Sequence, residues 1–111
     1  MDYRASIRYC RISPTKVRHI ADLIRGRSAR VGLETLRYLP HRGARMLEKA
    51  LKSAIANAEE ANVRNADALI VTTAGVDTGP TLKRIQPHAR GMGFMIKKRM
   101  SHITVAVRSP E

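Results

Sequence analysis

The order of helical and extended segments in this sequence predicts an α+β fold, with three helices packed on a small three-stranded antiparallel sheet and a long protruding β-hairpin. One short alternating segment precedes three stretches of helical periodicity, and two extended stretches follow them. The last of these changes from apolar to basic along a single face, as a strand does when it leaves a core. The chain of 111 residues is long enough for one domain, residues 1–111, and too short for two.

The first strand and the first helix follow one another directly. The strand covers 5–12, and its apolar residues alternate onto one face: Ala5, Ile7 and Tyr9. Ser13 and Pro14 then predict a helix start, because serine caps helices well and proline suits the first helical position. Apolar residues recur every three or four positions in this helix, over 13–25: Val17, Ile20, Ala21 and Ile24. Gly26 predicts its end, since glycine readily adopts a left-handed conformation there.

Two further helices are predicted in the middle of the chain. The second covers 29–39, with Ser28 as its cap and Pro40 after its end. Its predicted core residues are Leu33, Leu36 and either Tyr38 or Leu39. The third covers 41–61, and its predicted core stripe is Ala44, Leu47, Leu51, Ile55 and Ala58. Because this stripe is rich in alanine, we expect a neighbouring element to pack closely against it.

The remaining strands, 68–79 and 102–108, are joined by a segment that we expect to project as an arm over 80–100. One face of the last strand is apolar near its end and basic near its start: Val107, Val105, Ile103, Ser101, Arg99 and Lys97. Gly79 and Pro80 mark the departure on the outgoing side. From there to a tip near Gly91 is roughly 40 Å of extended chain. An isolated two-stranded ribbon is only marginally stable in water, so a partner is expected to hold it.

The charge of the chain indicates what kind of partner this is. Lysine and arginine number 21 against 9 aspartate and glutamate, which gives a formal net charge of +12. No acidic residue occurs between Asp77 and Glu111. A polyanion relieves the self-repulsion of such a chain. Nucleic acid is favoured over the other two candidates, an anionic membrane surface and an acidic protein.

The composition argues against a disulfide, a metal site and a catalytic site. Cys10 is the only cysteine, so no internal disulfide forms and a reducing compartment is expected. The four histidines lie far apart without metal-ligand spacing, and no nucleophile, base and carboxylate form a catalytic pattern. We therefore expect no enzyme, no catalytic residues, no cofactor and no metal. No apolar run is long enough for a signal peptide or a membrane span, which predicts a cytoplasmic protein.

Two alternatives can be weighed on the residues themselves. The first two helices resemble a helix-turn-helix, but the exposed residues Arg30, Glu34 and Arg37 do not form the set of side chains that reads base edges. An ordinary helical pair is favoured. The apolar face of the third helix is mostly alanine and lacks aromatic anchors, which disfavours membrane binding. Composition and periodicity thus lead to a basic RNA- or DNA-binding protein with a projecting hairpin.

Four blocks of the sequence resemble the large-subunit ribosomal protein family numbered twenty-two. They are "RISPTKVRHIADLIRG" (11–26), "SAIANAEEAN" (53–62), "GPTLKRIQPHARG" (79–91) and "KKRMSHITVAV" (97–107), in the family's order. The resemblance implies a body at the surface of the large subunit near the polypeptide exit. It also implies a hairpin that threads through rRNA of the 23S type and lines the nascent-peptide tunnel. The implied partners are several rRNA domains, neighbouring large-subunit proteins and the nascent polypeptide, and the implied roles include subunit assembly.

The same resemblance implies individual contact residues. The rRNA-binding residues on the body are Arg11, Lys16, Arg18, Arg25 and Arg27. Those on the arm are Lys83, Arg84, Arg90, Lys97, Lys98, Arg99, Ser101 and His102. The tunnel-lining tip is His88, Ala89, Arg90, Gly91, Met92, Gly93 and Phe94. Family members usually carry basic residues where this chain has His88, Met92 and Met95, so the tip here is less charged.

Overall fold

The computed structural model of the chain describes residues 2–61, 63, 68–87 and 93–109, and over 82–87 and 93–98 it describes the backbone alone. The elements in chain order are β1 (Asp2–Cys10), α1 (Pro14–Ile24), α2 (Ala29–Tyr38), α3 (Arg42–Glu60), β2 (Ile70–Pro87) and β3 (Gly93–Arg108). This is the predicted α+β order. The prediction of three helices and a three-stranded antiparallel sheet is confirmed.

The central strand of the sheet is β3, in the order β1-β3-β2. β1 pairs with it from Asp2 opposite Arg108 to Cys10 opposite Ser101. β2 pairs much further, as far as Pro87 opposite Gly93. The sheet therefore has three strands at one end and two at the other, and the change falls at Ser101, where the predicted arm begins.

The arm leaves the three-stranded part of the sheet where the sequence predicted, at Gly79 and Pro80. The register of β2 shifts between Thr78 and Thr81, around the Gly79–Pro80 pair. A Cβ at Gly79 would lie 3.2 Å from the Met100 backbone, so a larger residue is disfavoured in this close approach. The molecule measures 65 × 24 × 17 Å with a radius of gyration of 17.0 Å, against about 13 Å for a compact chain of this length.

The core lies between the helices and one face of the sheet. Its members on β3 are fully buried, as predicted: Ile103, Val105 and Val107. α1 contributes the four predicted residues, each at most 6% exposed: Val17, Ile20, Ala21 and Ile24. α3 packs against β1 and β3 on one side and also contacts α1 and α2. It contributes a buried, alanine-rich stripe: Ala44, Leu47, Ala50, Leu51, Ala54 and Ala58. The small side chains let this helix approach the sheet closely.

Local signals placed the helix ends well. Pro14 is the first residue of α1, and Gly26 after its end has a φ of 82°, in the left-handed region. The Ser28 hydroxyl accepts the backbone N–H of Val31 and caps α2. Of the alternatives at the end of α2, Leu39 packs against the core while Tyr38 is 89% exposed.

The prediction for Tyr9 was wrong. It was expected on the core face with Ala5 and Ile7, but it is 59% exposed, and Cys10 is buried instead. The cause is a β-bulge, since β1 and β3 pair at Ile7 with Ile103 and next at Cys10 with Ser101. One extra residue reverses the alternation beyond it.

The connection between α1 and α2 covers the outer edge of β2. Gly26 N–H donates to Val71 O at 2.8 Å, and Val71 N–H donates to Arg27 O at 2.9 Å. Ala29 N–H donates to Leu69 O at 2.8 Å. Covering an edge strand in this way prevents it from pairing with other chains. The turn between the helices thus belongs to the body of the fold, which favours an ordinary helical pair.

Candidate nucleic-acid interface

The arm brings basic residues together by its strand pairing. The register sets Lys83 opposite Lys97 and Thr81 opposite Arg99. It also sets Leu82 opposite Lys98 and Arg84 opposite Ile96. Like charges at opposed positions of a ladder destabilise it, and neutralising anions relieve that repulsion. Arg99 is exposed, at the base of the arm.

Three of the predicted body residues are free to meet a ligand. Arg11 and Lys16 are exposed beside the start of α1, and Arg27 is exposed in the turn after it. The backbone carbonyl of Arg27 accepts the N–H of Val71, so the sheet fixes the position of the Arg27 Cα. Lys16 lies in α1, and Arg11 and Arg27 lie in the segments directly before and after it. All three are therefore placed by α1, which suits phosphate contacts that position a protein on RNA.

Two other predicted body residues have partners inside the protein. Arg18 Nε donates to Val76 O at 3.2 Å. Arg25 Nη2 donates to Ala74 O at 2.6 Å, and its Nη1 lies 2.7 Å from the Asp22 carboxylate. Both guanidinium groups therefore continue the cover over the edge of β2. Arg25 remains 49% exposed and retains further donors.

Ser101 and His102 differ in accessibility, although both were predicted to bind rRNA. Ser101 is fully buried, and its hydroxyl donates to Ile12 O at 2.6 Å. It ties the base of the arm to the segment before α1, and its predicted contact with rRNA stays a prediction from the sequence. His102 is half-buried on the opposite face of β3, where its Nδ1 accepts the Tyr9 backbone N–H at 3.1 Å.

The remaining predicted site residues lie beyond what the structure describes. They are the tip residues His88, Ala89, Arg90, Gly91 and Met92. Gly93 begins β3, and only the backbone of Phe94 is described, opposite Gln86. Their assignment stays a prediction from the sequence.

Four carboxylates of the body lie within 4 Å of a cation: Asp2, Asp22, Glu34 and Glu48. Glu48 lies 2.9 Å from Arg45, 3.2 Å from Lys52 and 3.7 Å from Arg37. The hydrogen bond from Lys52, and then the charges around it, lower the pKa of Glu48 below its ordinary value of 4.5. A hydrogen bond from Arg108 likewise lowers the pKa of Asp2. Such pairs reduce the repulsion that these four carboxylates would exert on a polyanion.

The residues described offer no competing chemical site. Burial raises the pKa of the Cys10 thiol, as is typical of an unreactive structural cysteine. Within the described ranges, no three metal-ligating side chains cluster together. No helix in the described part of the chain has the length and hydrophobicity that crossing a membrane requires.

Two exposed residues that the sequence did not predict as contacts, Tyr9 and Arg8, lie beside His102 on the open face of the sheet. An exposed aromatic ring between exposed arginines is a common feature of RNA-binding surfaces. The signal for them in the sequence is an aromatic residue close to two arginines, Arg8, Tyr9 and Arg11. The alternation of the first strand instead led to the prediction that Tyr9 faces the core.

Comparison with known proteins gives a consistent result. The family model for ribosomal protein L22p/L17e matches residues 5–108. A protein of Desulfosudis oleivorans named large ribosomal subunit protein uL22 is 53% identical, over 93% of this chain and 90% of its own length. Proteins of the same name from Rhodopirellula baltica and Thermoanaerobacter pseudethanolicus are 51% and 48% identical, over 95% and 100% of this chain. The two alignments cover 92% and 100% of the length of these relatives.

A match of this extent confirms the resemblance seen in the four sequence blocks. The expectation that the chain is not an enzyme is also confirmed, because the relatives are named as proteins of the large ribosomal subunit. The folded body, the paired basic arm and the full-length similarity agree: the chain belongs to the ribosomal protein L22p/L17e family.

Proposed function

We propose that this protein is a structural rRNA-binding component of the large ribosomal subunit in the cytoplasm. Its body would lie near the polypeptide exit, and its arm, residues 80–100, would thread through rRNA of the 23S type until the tip lines the nascent-peptide tunnel. It would contact neighbouring large-subunit proteins there and support subunit assembly. Family membership and the names of the relatives support the ribosomal part of this proposal.

The observation that carries the proposal is the two-stranded arm. β2 and β3 remain paired from Ser101 out to Gly93 after β1 has ended, and the molecule is 65 Å long. A ribbon of this kind has no core of its own. Opposed cations such as Lys83 and Lys97 further weaken it until phosphates surround it.

Phosphate contact explains the basic composition of the arm. Each phosphate that a cation neutralises releases condensed counterions, which favours binding at moderate salt. Residues 78–110 contain no carboxylate to oppose this. A slim ribbon also reaches RNA segments that a globular body cannot, and one ribbon in contact with several rRNA domains holds them together.

The experiment is sedimentation of the tagged full-length chain expressed in cells. We expect it to co-sediment with large subunits and to stay there after a moderate salt wash. A chain lacking residues 81–99 is the matched control, because it keeps the three-stranded end of the sheet and all three helices. It should be lost in the wash. Sedimentation of the full chain away from large subunits would favour an architectural RNA- or DNA-binding protein outside the ribosome.

A further inference from the structure

Tyr9 has an unusual backbone conformation. Its φ of 59° is the only positive value at a non-glycine residue in the described part of the chain. Together with Arg8 it forms the bulge opposite His102, between the pairs Ile7–Ile103 and Cys10–Ser101. Left-handed positions in bulges usually carry glycine, because a Cβ disfavours that conformation. An aromatic residue in such a position is most readily explained by what its side chain does.

The bulge turns the Tyr9 ring outward. The residue is 59% exposed, whereas Cys10 next to it is 6% exposed. Re-aiming a side chain out of the regular alternation is a known use of bulges. The ring therefore lies on the open face of the sheet, at the end of β1, where the arm leaves the body.

His102 holds this arrangement from the neighbouring strand. Its Nδ1 accepts the Tyr9 backbone N–H at 3.1 Å, and the two rings are perpendicular with centroids 5.0 Å apart. Because Nδ1 is an acceptor, the neutral imidazole carries its proton on Nε2. Gly79 leaves room for the imidazole, since a Cβ there would lie 3.3 Å from His102 Cε1.

The charges around these rings identify the type of ligand. Arg8 and Arg11 are exposed on either side of Tyr9 in the chain. Asp77, also exposed, pairs across the ladder with His102 and so lies on its face. A carboxylate there disfavours a phosphate directly over the imidazole, while the arginines favour phosphates on the other side. An uncharged ring flanked by phosphates fits this distribution.

We propose that Tyr9 and His102, the stacking pair, bind an unpaired RNA base, with Tyr9 stacking on it and His102 fixing the Tyr9 ring. This rests on the proposed function, because it names the chemical group that one part of the rRNA interface recognises. An aromatic ring stacks on any base, since every base has a π-face. His102 is a positioning residue, and the Nε2–H is its available donor toward the RNA.

The test is equilibrium binding of the full-length chain to large-subunit rRNA transcribed in vitro, at several salt concentrations. The informative variants are Tyr9→Phe, which keeps the ring, and Tyr9→Asn, which removes it and tolerates a positive φ. Tyr38→Asn is the matched control, because Tyr38 is 89% exposed at the far end of α2, away from the bulge. Melting temperatures of all four proteins are measured without RNA.

We expect Tyr9→Phe to bind as the wild type does. Tyr9→Asn should bind roughly fivefold to a hundredfold more weakly, as for the loss of one stacked base. Its slope of log affinity against log salt should not change, because no phosphate contact is lost. Its melting temperature should be no lower than that of the wild type, since asparagine relieves the strain. Stability and affinity would then respond differently to one substitution, as expected for a binding residue.

Three results would overturn the stacking site. The first is wild-type affinity of Tyr9→Asn, which would place the ring against protein or solvent. The second is an equal loss in Tyr9→Phe, which would assign the contact to the hydroxyl. The third is an equal loss in Tyr38→Asn, which would make the effect general to exposed tyrosines. Failure of the wild type to prefer rRNA over duplex DNA would instead overturn the proposed function.

Discussion

Arg45 and Glu48 illustrate how single charged residues join two helices in this body. Arg45 Nη2 lies within hydrogen-bond distance of three carbonyl oxygens at the end of α2 and at its C-cap: Leu36 at 2.7 Å, Arg37 at 3.0 Å and Leu39 at 2.6 Å. Its Nη1 lies 2.9 Å from Glu48, whose side chain is only 13% exposed. Cations are favourable at the carboxyl end of a helix, where carbonyls lack partners. Glu48 thus holds the group that caps α2.

Replacing Glu48 by Gln should lower the free energy of unfolding at neutral pH by about 1 kcal/mol, typical of a small ion-pair network. The pKa of Glu48 is lower in the folded chain than its ordinary value of 4.5. Its contribution is therefore present above that value and is lost as the pH falls through the folded pKa. Urea unfolding at several pH values should show the two curves converging as the pH falls below 4.5 and through the lower folded pKa of Glu48.

Glu34→Gln provides the control for this prediction. Glu34 lies 3.6 Å from a single partner, Arg30, and both side chains are more than half exposed. We expect little change at any pH, since one exposed pair contributes little. A constant difference between Glu48→Gln and the wild type down to low pH would show that shape or packing, and not charge, matters at Glu48.

At the scale of elements, the arm and the body differ in what stabilises them. The body buries the apolar faces of three helices and the sheet, whereas the arm consists of two paired strands with no third layer. In amide hydrogen exchange on the free protein, we expect α3 residues 42–60 to be protected and residues 84–97 to exchange rapidly. Strong protection across 84–97 in the absence of RNA would show that the ribbon is stable by itself.

The charge of the arm can be tested through its salt dependence. Replacing Lys97, Lys98 and Arg99 together by alanine should reduce the slope of log affinity against log salt for rRNA by about two to three units. The matched triple variant replaces Arg30, Arg37 and Lys52, which are paired with Glu34 and Glu48 in the body. It should keep nearly the full slope. Equal slopes for the wild type and the arm variant would place the three arm cations in solvent.

At the scale of the whole molecule, the tip and the shaft of the arm should have separable roles. Residues 88–94 contain one arginine and one histidine, so they carry a small part of the charge. A chain with 88–94 deleted should still enter large subunits, because the body and the rest of the arm keep most of the cations. Those that remain on the arm are Lys83, Arg84, Lys97, Lys98 and Arg99. What should change is the passage of nascent chains that stall by contacting the tunnel wall.

The measurement compares subunit occupancy with stalling efficiency in the same cells. The double variant Met92→Ala, Phe94→Ala separates lumen contact from packing, since it removes two bulky apolar groups and no charge. Normal occupancy with altered stalling supports a tip that faces the tunnel. Reduced occupancy with unchanged stalling would mean that these residues pack on RNA and hold the tip in place.

The sequence by itself determined the elements and the character of the arm, because these depend on local patterns. Helical periodicity located Val17, Ile20, Ala21 and Ile24 in the core. Pro14 and Gly26 placed the ends of α1, although the Ser13 side chain makes no capping hydrogen bond. The change from Ile103 to Arg99 along one face located the start of the arm. Charge and the absence of carboxylates indicated a polyanion partner.

Only the tertiary structure decided what individual side chains at the interface do, because their partners are distant in sequence. Ser101 donates a hydrogen bond to Ile12 O, 89 residues away, and Arg18 donates one to Val76 O, 58 residues away. The bulge that exposes Tyr9 depends on pairing with His102, 93 residues away. The net charge is a sum over the residues of the chain, and so it can be calculated without knowledge of the fold. The direction of one side chain depends on strand register, and register is set when the sheet closes.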